Sequence, residues 1–449
     1  MPEYLAPGVY IEEISTRSKP IEGVGTSTAG FVGRTERGPE YPKLIGSWLE
    51  YQRWYGDYLP VTQSYLPFAI QGFFQNGGQR CFVSRVVPSG SAVSQGSVGA
   101  LAVSAVGNGL WGTRVRVKIE GATQTSETAP QFRLSIIYFR EDPENFVDPL
   151  DPDELVNPNR REPDAVEVYD NLTHREGASN NVISVVNANS QLVRCWWTDP
   201  ANPATLEEQP FTPLEGGTDG DGSLVAGDFT GDVDPILLLT NQEAPLNEPL
   251  GRGHGLGALE TVDEIAILLA PDEVRFGDQS NVTTQVINQC ERLKDRFAIV
   301  SSQPGQSDVT NLRPPKDTLY AAFYYPWIQV FDPLNNKVQL IPPSGHVAGI
   351  YARTDIERGV HKAPANAVIR GARNLEFNVT KTMQDILNPR GVNCGRDFRS
   401  DNRGIRLWGA RTMSSDSEWK YVNVRRLFIF IEESIEEGTQ WVVFEPNYE

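Results

Sequence analysis

Four histidines, His174, His254, His346 and His361, stand in a chain of 449 residues. His346 and His361 are fifteen residues apart with Asp355 and Glu357 between them, a grouping from which a hydrolytic metal site can be sketched. They are too far apart for one helix face to present both imidazoles to one ion, and ordinary surface or interface histidines are the plainer reading. Asp219-Gly-Asp-Gly-Ser begins like a calcium loop, but Leu224 stands where glycine is needed and Thr230 where a bidentate glutamate should be, so an acidic turn is expected. Gly251-Arg-Gly-His-Gly-Leu-Gly has the composition of a phosphate loop. It lacks a strand directly before it and a following Lys-Ser/Thr pair, and reads instead as a hinge where the chain re-enters a core. There is no GxSxG elbow and no HExxH pair, and no spacing says which of the many carboxylates meet across a cleft. Cys81, Cys195, Cys290 and Cys394 lie about a hundred residues apart without a CxxC pair, which implies free buried thiols. The residues therefore point to no catalytic group, no metal and no cofactor.

The elements around these residues are those of a soluble globular protein: 39% hydrophobic, 10% aromatic and 22% charged. The net charge of -18 is concentrated in two stretches. Glu141 to Asp170 carries -9 and Asp199 to Glu248 carries -11, so the rest of the chain is close to neutral. Without a basic footprint, sequence-independent binding of nucleic acid is not expected. The most apolar stretch, Leu319 to Phe331, is too short to span a bilayer and contains Pro326 and Gln329, so no direct membrane insertion is expected. The amino terminus lacks the basic start and apolar run of a secretory signal, which implies folding in the cytoplasm.

Strand and helix patterns alternate at both ends of the chain. Thr28 to Val32 reads as a strand, Ser47 to Tyr55 as a helix capped by Ser47, Ser64 to Gln75 as a helix, and Arg80 to Val87 as a strand. After about Gly251, Ile265 to Ala270 and Phe297 to Ser301 read as strands around a helix whose stripe is Val282, Val286, Cys290, Leu293 and Phe297. Val424, Phe428, Ile431 and Ile435 mark a last helix closed by Gly438, with Gln440 to Phe444 as a strand. Between these regions Arg114 to Ile119 and Phe132 to Tyr138 alternate with period two, and Val166 to Tyr169 and Val182 to Val186 read as further short strands. The expectation is an α/β core with a largely parallel sheet, residues 23–90 and 250–449, interrupted by an acidic β-rich insertion at 91–249. Residues 1–22 have too little to build a core and form an extended arm. Tyr4, Val9, Tyr10, Ile11 and Ile14 are its candidates for strand addition to a neighbour.

Several longer segments carry a resemblance. Tyr325-Pro-Trp-Ile-Gln-Val, Pro342-Pro-Ser-Gly-His-Val-Ala-Gly-Ile-Tyr-Ala-Arg-Thr-Asp and Arg358-Gly-Val-His-Lys-Ala-Pro-Ala-Asn366 resemble the contractile tail sheath proteins of myophage tails, R-type bacteriocins and extracellular contractile injection systems. Pro7-Gly-Val-Tyr-Ile-Glu-Glu, Ala29-Gly-Phe-Val-Gly, Gly404-Ile-Arg-Leu-Trp-Gly-Ala-Arg-Thr and the region from Trp419 to Asn447 agree, so the likeness covers roughly 1–88 and 235–449. The resemblance implies a structural subunit that polymerises helically, in stacked rings, around an inner tube and contracts to drive the tube through a target envelope. It implies copies of itself, an inner tube protein, and baseplate and tail terminator proteins as partners. Such a subunit would be assembled in the bacterial cytoplasm as part of a phage tail or a released tail-like particle. Family members usually continue past the equivalent of Phe444-Glu-Pro-Asn. A chain stopping at Glu449 is therefore expected to be a truncated form, or a shortened variant needing a longer sheath paralogue. The alternative is a carbohydrate-binding or metal-dependent hydrolytic enzyme on an α/β plus β-rich scaffold, using the Asp219 loop.

Overall fold

The computed structural model describes residues 21–124, 130–199, 206–231, 253–276 and 281–444. Its centre is a nine-stranded sheet whose inner six strands are parallel. From one side these are Val392–Asp397, Ala321–Tyr325, Phe297–Ser301, Ile267–Leu269, Ala29–Gly33 and Cys81–Arg85. Lys43–Ile45 closes one edge antiparallel, and Ile405–Leu407 with Ala367–Val368 closes the other. The expected largely parallel sheet is thus a mixed one, with antiparallel strands at both edges.

These strands read as continuous apolar runs because both faces are covered, as parallel sheets require. Phe31, Ile267, Leu269, Ile299 and Tyr324 point to one core together with the helices Leu66–Gln75 and Ser344–Arg358. Their neighbours Val32, Leu268, Ala298, Val300 and Phe323 point to the other, shared with the helices Gly255–Leu259 and Asn281–Leu293. The expected stripe on the last of these helices is in place over Val282, Val286 and Cys290, which are buried, but Leu293 is half-buried and Phe297 opens the next strand because the helix ends at Leu293.

The first pair of helices packs unusually close. A Cβ on Gly345 would stand 2.3 Å from the Ala69 carbonyl oxygen, and one on Gly349 2.4 Å from that of Phe73. Gly72 makes the reciprocal room for the His346 imidazole, whose complete burial pushes it down to about 4. His346 is therefore a packing residue, while His361 lies exposed beyond the end of the helix, and the two do not form one site.

Residues between Ser91 and Asp219 form two four-stranded antiparallel sheets around a shared core. Val115–Gly121 shows the predicted alternation: Val115, Val117 and Ile119 are buried, and Lys118 on the other face reaches Glu120 at 2.5 Å and Asp148 at 2.6 Å. Phe132–Tyr138 and Ala165–Leu172 are strands as expected. Val182 to Val186 is not; it opens a helix, Val182–Asn189. A short β-branched run is compatible with either state. Here the Asn181 side chain accepts the Ser184 N–H at 3.1 Å, an N-cap that starts the helix. All four cysteines are buried and free.

Candidate assembly surface

The helix Val422–Thr439 is amphipathic in an inverted sense. Its inward face presents Val422 and Ile429 together with Arg425, Arg426 and Ser434, all buried. Its outward face presents Phe428, Ile431 and Ile435, which are 44%, 41% and 49% exposed. The sequence periodicity correctly grouped these apolar residues on one stripe, but the stripe faces outward.

Polar anchors make this orientation possible. The Arg426 guanidinium donates to both oxygens of Asp355, at 3.0 and 2.7 Å, and to the Thr26 carbonyl oxygen at 2.8 Å. The side chains of the pair are 3% and 2% exposed, and Arg426 also lies over the Tyr351 ring. Arg425 donates to Glu432 at 2.6 Å and lies over Tyr320 and Trp419, each at 4.8 Å. Buried guanidiniums are stable only when paired and hydrogen-bonded, and this double arrangement supplies both. Asp355 is on the helix Ser344–Arg358, so the last helix is clamped to the element that is itself locked onto the sheet.

The same helix guides the amino-terminal segment. The Ser434 hydroxyl accepts the Val24 N–H at 3.1 Å and donates to the Phe430 carbonyl at 2.6 Å. Gly438 lies against Ile21 and Gly23 against the Phe430 ring, contacts so close that a Cβ at Gly438 would come within 2.7 Å of the Ile21 side chain. The chain thus enters the described structure beside the exposed apolar stripe. Tyr4, Val9, Tyr10, Ile11 and Ile14, the predicted arm residues, lie outside the described residues.

Beyond Gly438 the helix continues to Thr439, and Gln440–Phe444 follows as a 3₁₀ turn rather than the expected strand. Trp441, Val442, Val443 and Phe444 are exposed, extending the apolar surface. A strand needs a partner ladder; with none beside this segment among the described residues, continuing the helical turn satisfies its local hydrogen bonds. Glu432, Glu433, Glu436 and Glu437 flank the stripe, and partial burial with neighbouring acids, Asp295 first among them, pushes Glu433 up to about 7. The surface is therefore apolar along its centre and acidic along one side.

Neither sketched metal site assembles. The Asp219 carboxylate accepts the Leu110 N–H at 2.7 Å and that of Asp221 accepts the Ser223 N–H at 3.1 Å, which makes the loop the acidic turn expected. Among the described residues there is no cluster of three or more His, Cys, Asp or Glu that could hold a metal ion, and no helix long and apolar enough to cross a membrane. The Gly251 segment falls partly outside the described residues; its later part begins the helix Gly255–Leu259. Arg425, Arg426 and Asp355 were missed at the level of sequence, since nothing local signals that a pair 71 residues apart meets in the interior.

Residues 253–413 match the model of the phage tail sheath protein central domain. Over 124 residues the chain is 36% identical to a protein described as a prophage major tail sheath protein in Pseudomonas aeruginosa strain UCBPP-PA14, covering 26% of this chain and 31% of that one. The chain thus spans less than a third of the length of the curated relatives it matches first. Among solved structures, the sheath tail protein Lin1278 of Listeria innocua aligns with a TM-score of 0.55 at 11% identity, covering 94% of this chain and 80% of that one. The helical sheath of the anti-feeding prophage in its contracted state aligns with a TM-score of 0.51 at 21% identity, covering 99% and 78%. These relatives are structural proteins and not enzymes. The segment that matches the phage tail sheath central domain contains the parallel strands from Ile267 to Asp397 and the helix that receives Arg426, so the likeness falls on the core to which the last helix is clamped.

Proposed function

We propose that the chain is a structural subunit of a contractile sheath, polymerising helically around an inner tube and contracting to drive that tube through a target envelope. The observation that carries this reading is the exposed Phe428–Ile431–Ile435 stripe, held outward by a buried ion pair beside the entering amino-terminal segment. A monomer gains nothing from holding an apolar face in water, whereas a subunit buries it in every copy of a lattice. Tyr4, Val9, Tyr10, Ile11 and Ile14 add as a strand to a neighbour and tether the lattice while rigid bodies rotate. Work comes from the difference in buried interface between two packings of one folded subunit. Residues 23–90 and 250–449 form the wall, and the acidic insertion at 91–249 projects outward. The inner tube, the baseplate and the tail terminator are the further partners, assembled in the bacterial cytoplasm into a phage tail or tail-like particle.

The test is electron microscopy of particles containing the full chain and of particles lacking residues 1–22. Hollow striated cylinders that lose order on deletion are expected. A deletion variant that still assembles and contracts normally would remove the arm from the mechanism.

A further inference from the structure

At the carboxyl ends of the strands Ala29–Gly33 and Cys81–Arg85 lies a cavity of about 440 Å³, with the antiparallel sheets forming its opposite wall. The chain order of the central sheet reverses at Ala29–Gly33, whose neighbours are Cys81–Arg85 on one side and Ile267–Leu269 on the other. The cavity lies on the Cys81–Arg85 side of that reversal and takes no lining residue from Ile267–Leu269. Here four guanidiniums line the space: Arg34 and Arg85 from the sheet, Arg114 and Arg140 from the opposite wall.

Glu36, Glu40, Asp219 and Glu141 balance these guanidiniums in number, yet most donors of Arg34 and Arg114 are left unspent. Arg140 pairs with Glu36 at 3.0 Å, and Glu36 is further occupied by the Tyr138 hydroxyl and the Asp57 N–H, both at 2.8 Å. Arg85 is 4% exposed and spends its donors on the carbonyls of Gly38 and Asn108; its nearest paired carboxylate, Glu40, is 3.6 Å away, and its Nε has no hydrogen-bond partner. Among the described residues Arg34 donates to the Gly222 carbonyl alone, at 3.3 Å, and Arg114 to the Arg140 carbonyl, with its Nε also unpartnered. Neither Arg34 nor Arg114 has a carboxylate partner among the described residues. Three acids also line the space: Glu36 is committed as above, Asp219 is held by Leu110, and Glu141 is exposed. Burial lowers the Arg85 pKa, with Glu40 and Asp219 opposing the shift and Arg34 adding to it as a like charge.

We propose that this cavity binds a phosphate-class oxyanion, gripped by Arg34, Arg85 and Arg114, which bridges the α/β core to the inserted sheets. A guanidinium has five donors in a planar fork matched to such oxygens, and most of those on Arg34 and Arg114 are unspent. Because Arg34 and Arg114 stand on opposite walls, occupancy would tie the insertion to the core and stiffen the subunit across that seam.

The test is calorimetric titration of inorganic phosphate into the full chain at constant pH and ionic strength, with chloride as the balancing anion. Thermal unfolding is followed under the same conditions. Saturable binding to the unmodified chain is expected, with unfolding shifted upward by phosphate and not by chloride. Arg34 makes one long, exposed hydrogen bond among the described residues, so Arg34→Gln should leave unfolding in chloride unchanged and weaken phosphate about tenfold or more, the loss of one charge-assisted contact. Arg34→Lys should keep most of the affinity. No saturable binding by the unmodified chain, or equal binding by Arg34→Gln and the unmodified chain, would overturn the proposal.

Discussion

The Arg426–Asp355 pair offers the sharpest test of how the surface is held. Asp355→Ala removes two charge-assisted hydrogen bonds, 3.0 and 2.7 Å long, and leaves a guanidinium that is 3% exposed with only the Thr26 carbonyl and the Tyr351 ring for company. Leaving one member of a buried pair uncompensated costs about 3–5 kcal/mol. A global unfolding curve would blur this, since a chain of this size need not unfold in one step. Hydrogen exchange of the amides in 422–439 reads the local effect directly. If those amides exchange by local detachment of the helix, the substitution should speed them roughly 10²- to 10⁴-fold while the central sheet is unaffected. The double variant Asp355→Leu with Arg426→Met should recover most of the protection, because an apolar pair of similar volume needs no charge compensation. Exchange in Asp355→Ala within about threefold of the unmodified chain would refute the claim that this pair seats the helix.

Two further outcomes follow from the same geometry. Burial pushes the Glu273 carboxyl up to about 8, while its oxygen accepts the Ser301 N–H at 2.9 Å. Its contribution to stability is fully present below the ordinary carboxyl pKa and is lost progressively as pH rises toward 8, by up to ~1.4 kcal/mol per pH unit. Glu273→Gln should therefore raise the unfolding temperature at pH 7 and flatten its dependence between pH 5 and 8; equal pH profiles for the two proteins would count against this. Ile431→Gln with Ile435→Gln should change monomer stability by no more than about 0.5 kcal/mol, since both side chains already face water. The same pair should weaken self-association in sedimentation velocity, and undiminished association would exclude the stripe as a contact.

Elements with strong internal signals were legible before the structure was known. Ser47 accepts the Glu50 N–H as a cap, the Val115–Gly121 strand alternates as written, and the Asn281–Leu293 helix buries its stripe as far as Cys290. The errors have physical causes. Val182 to Val186 carries β-branched residues suited to a strand, yet one local hydrogen bond from Ser184 to Asn181 tips it to helix. Gln440 to Phe444 has the composition of a strand but no ladder to join among the described residues. Of the assembly surface, the spacing of Phe428, Ile431 and Ile435 was visible; its outward direction was not.

What the amino-acid order determines by itself is periodicity: which residues share a face, where a helix is capped, and that two acidic stretches lie apart from a near-neutral remainder. Periodicity carries no sign, so it cannot distinguish a face turned to the core from one turned to a neighbour. That was decided only in three dimensions, where Asp355 meets Arg426 and turns the apolar stripe outward, and where Arg34 and Arg85 come to face Arg114 across a cavity. Both arrangements join residues far apart in the chain, and the energy of such a contact depends on a distance and a degree of burial that exist only once the chain has folded.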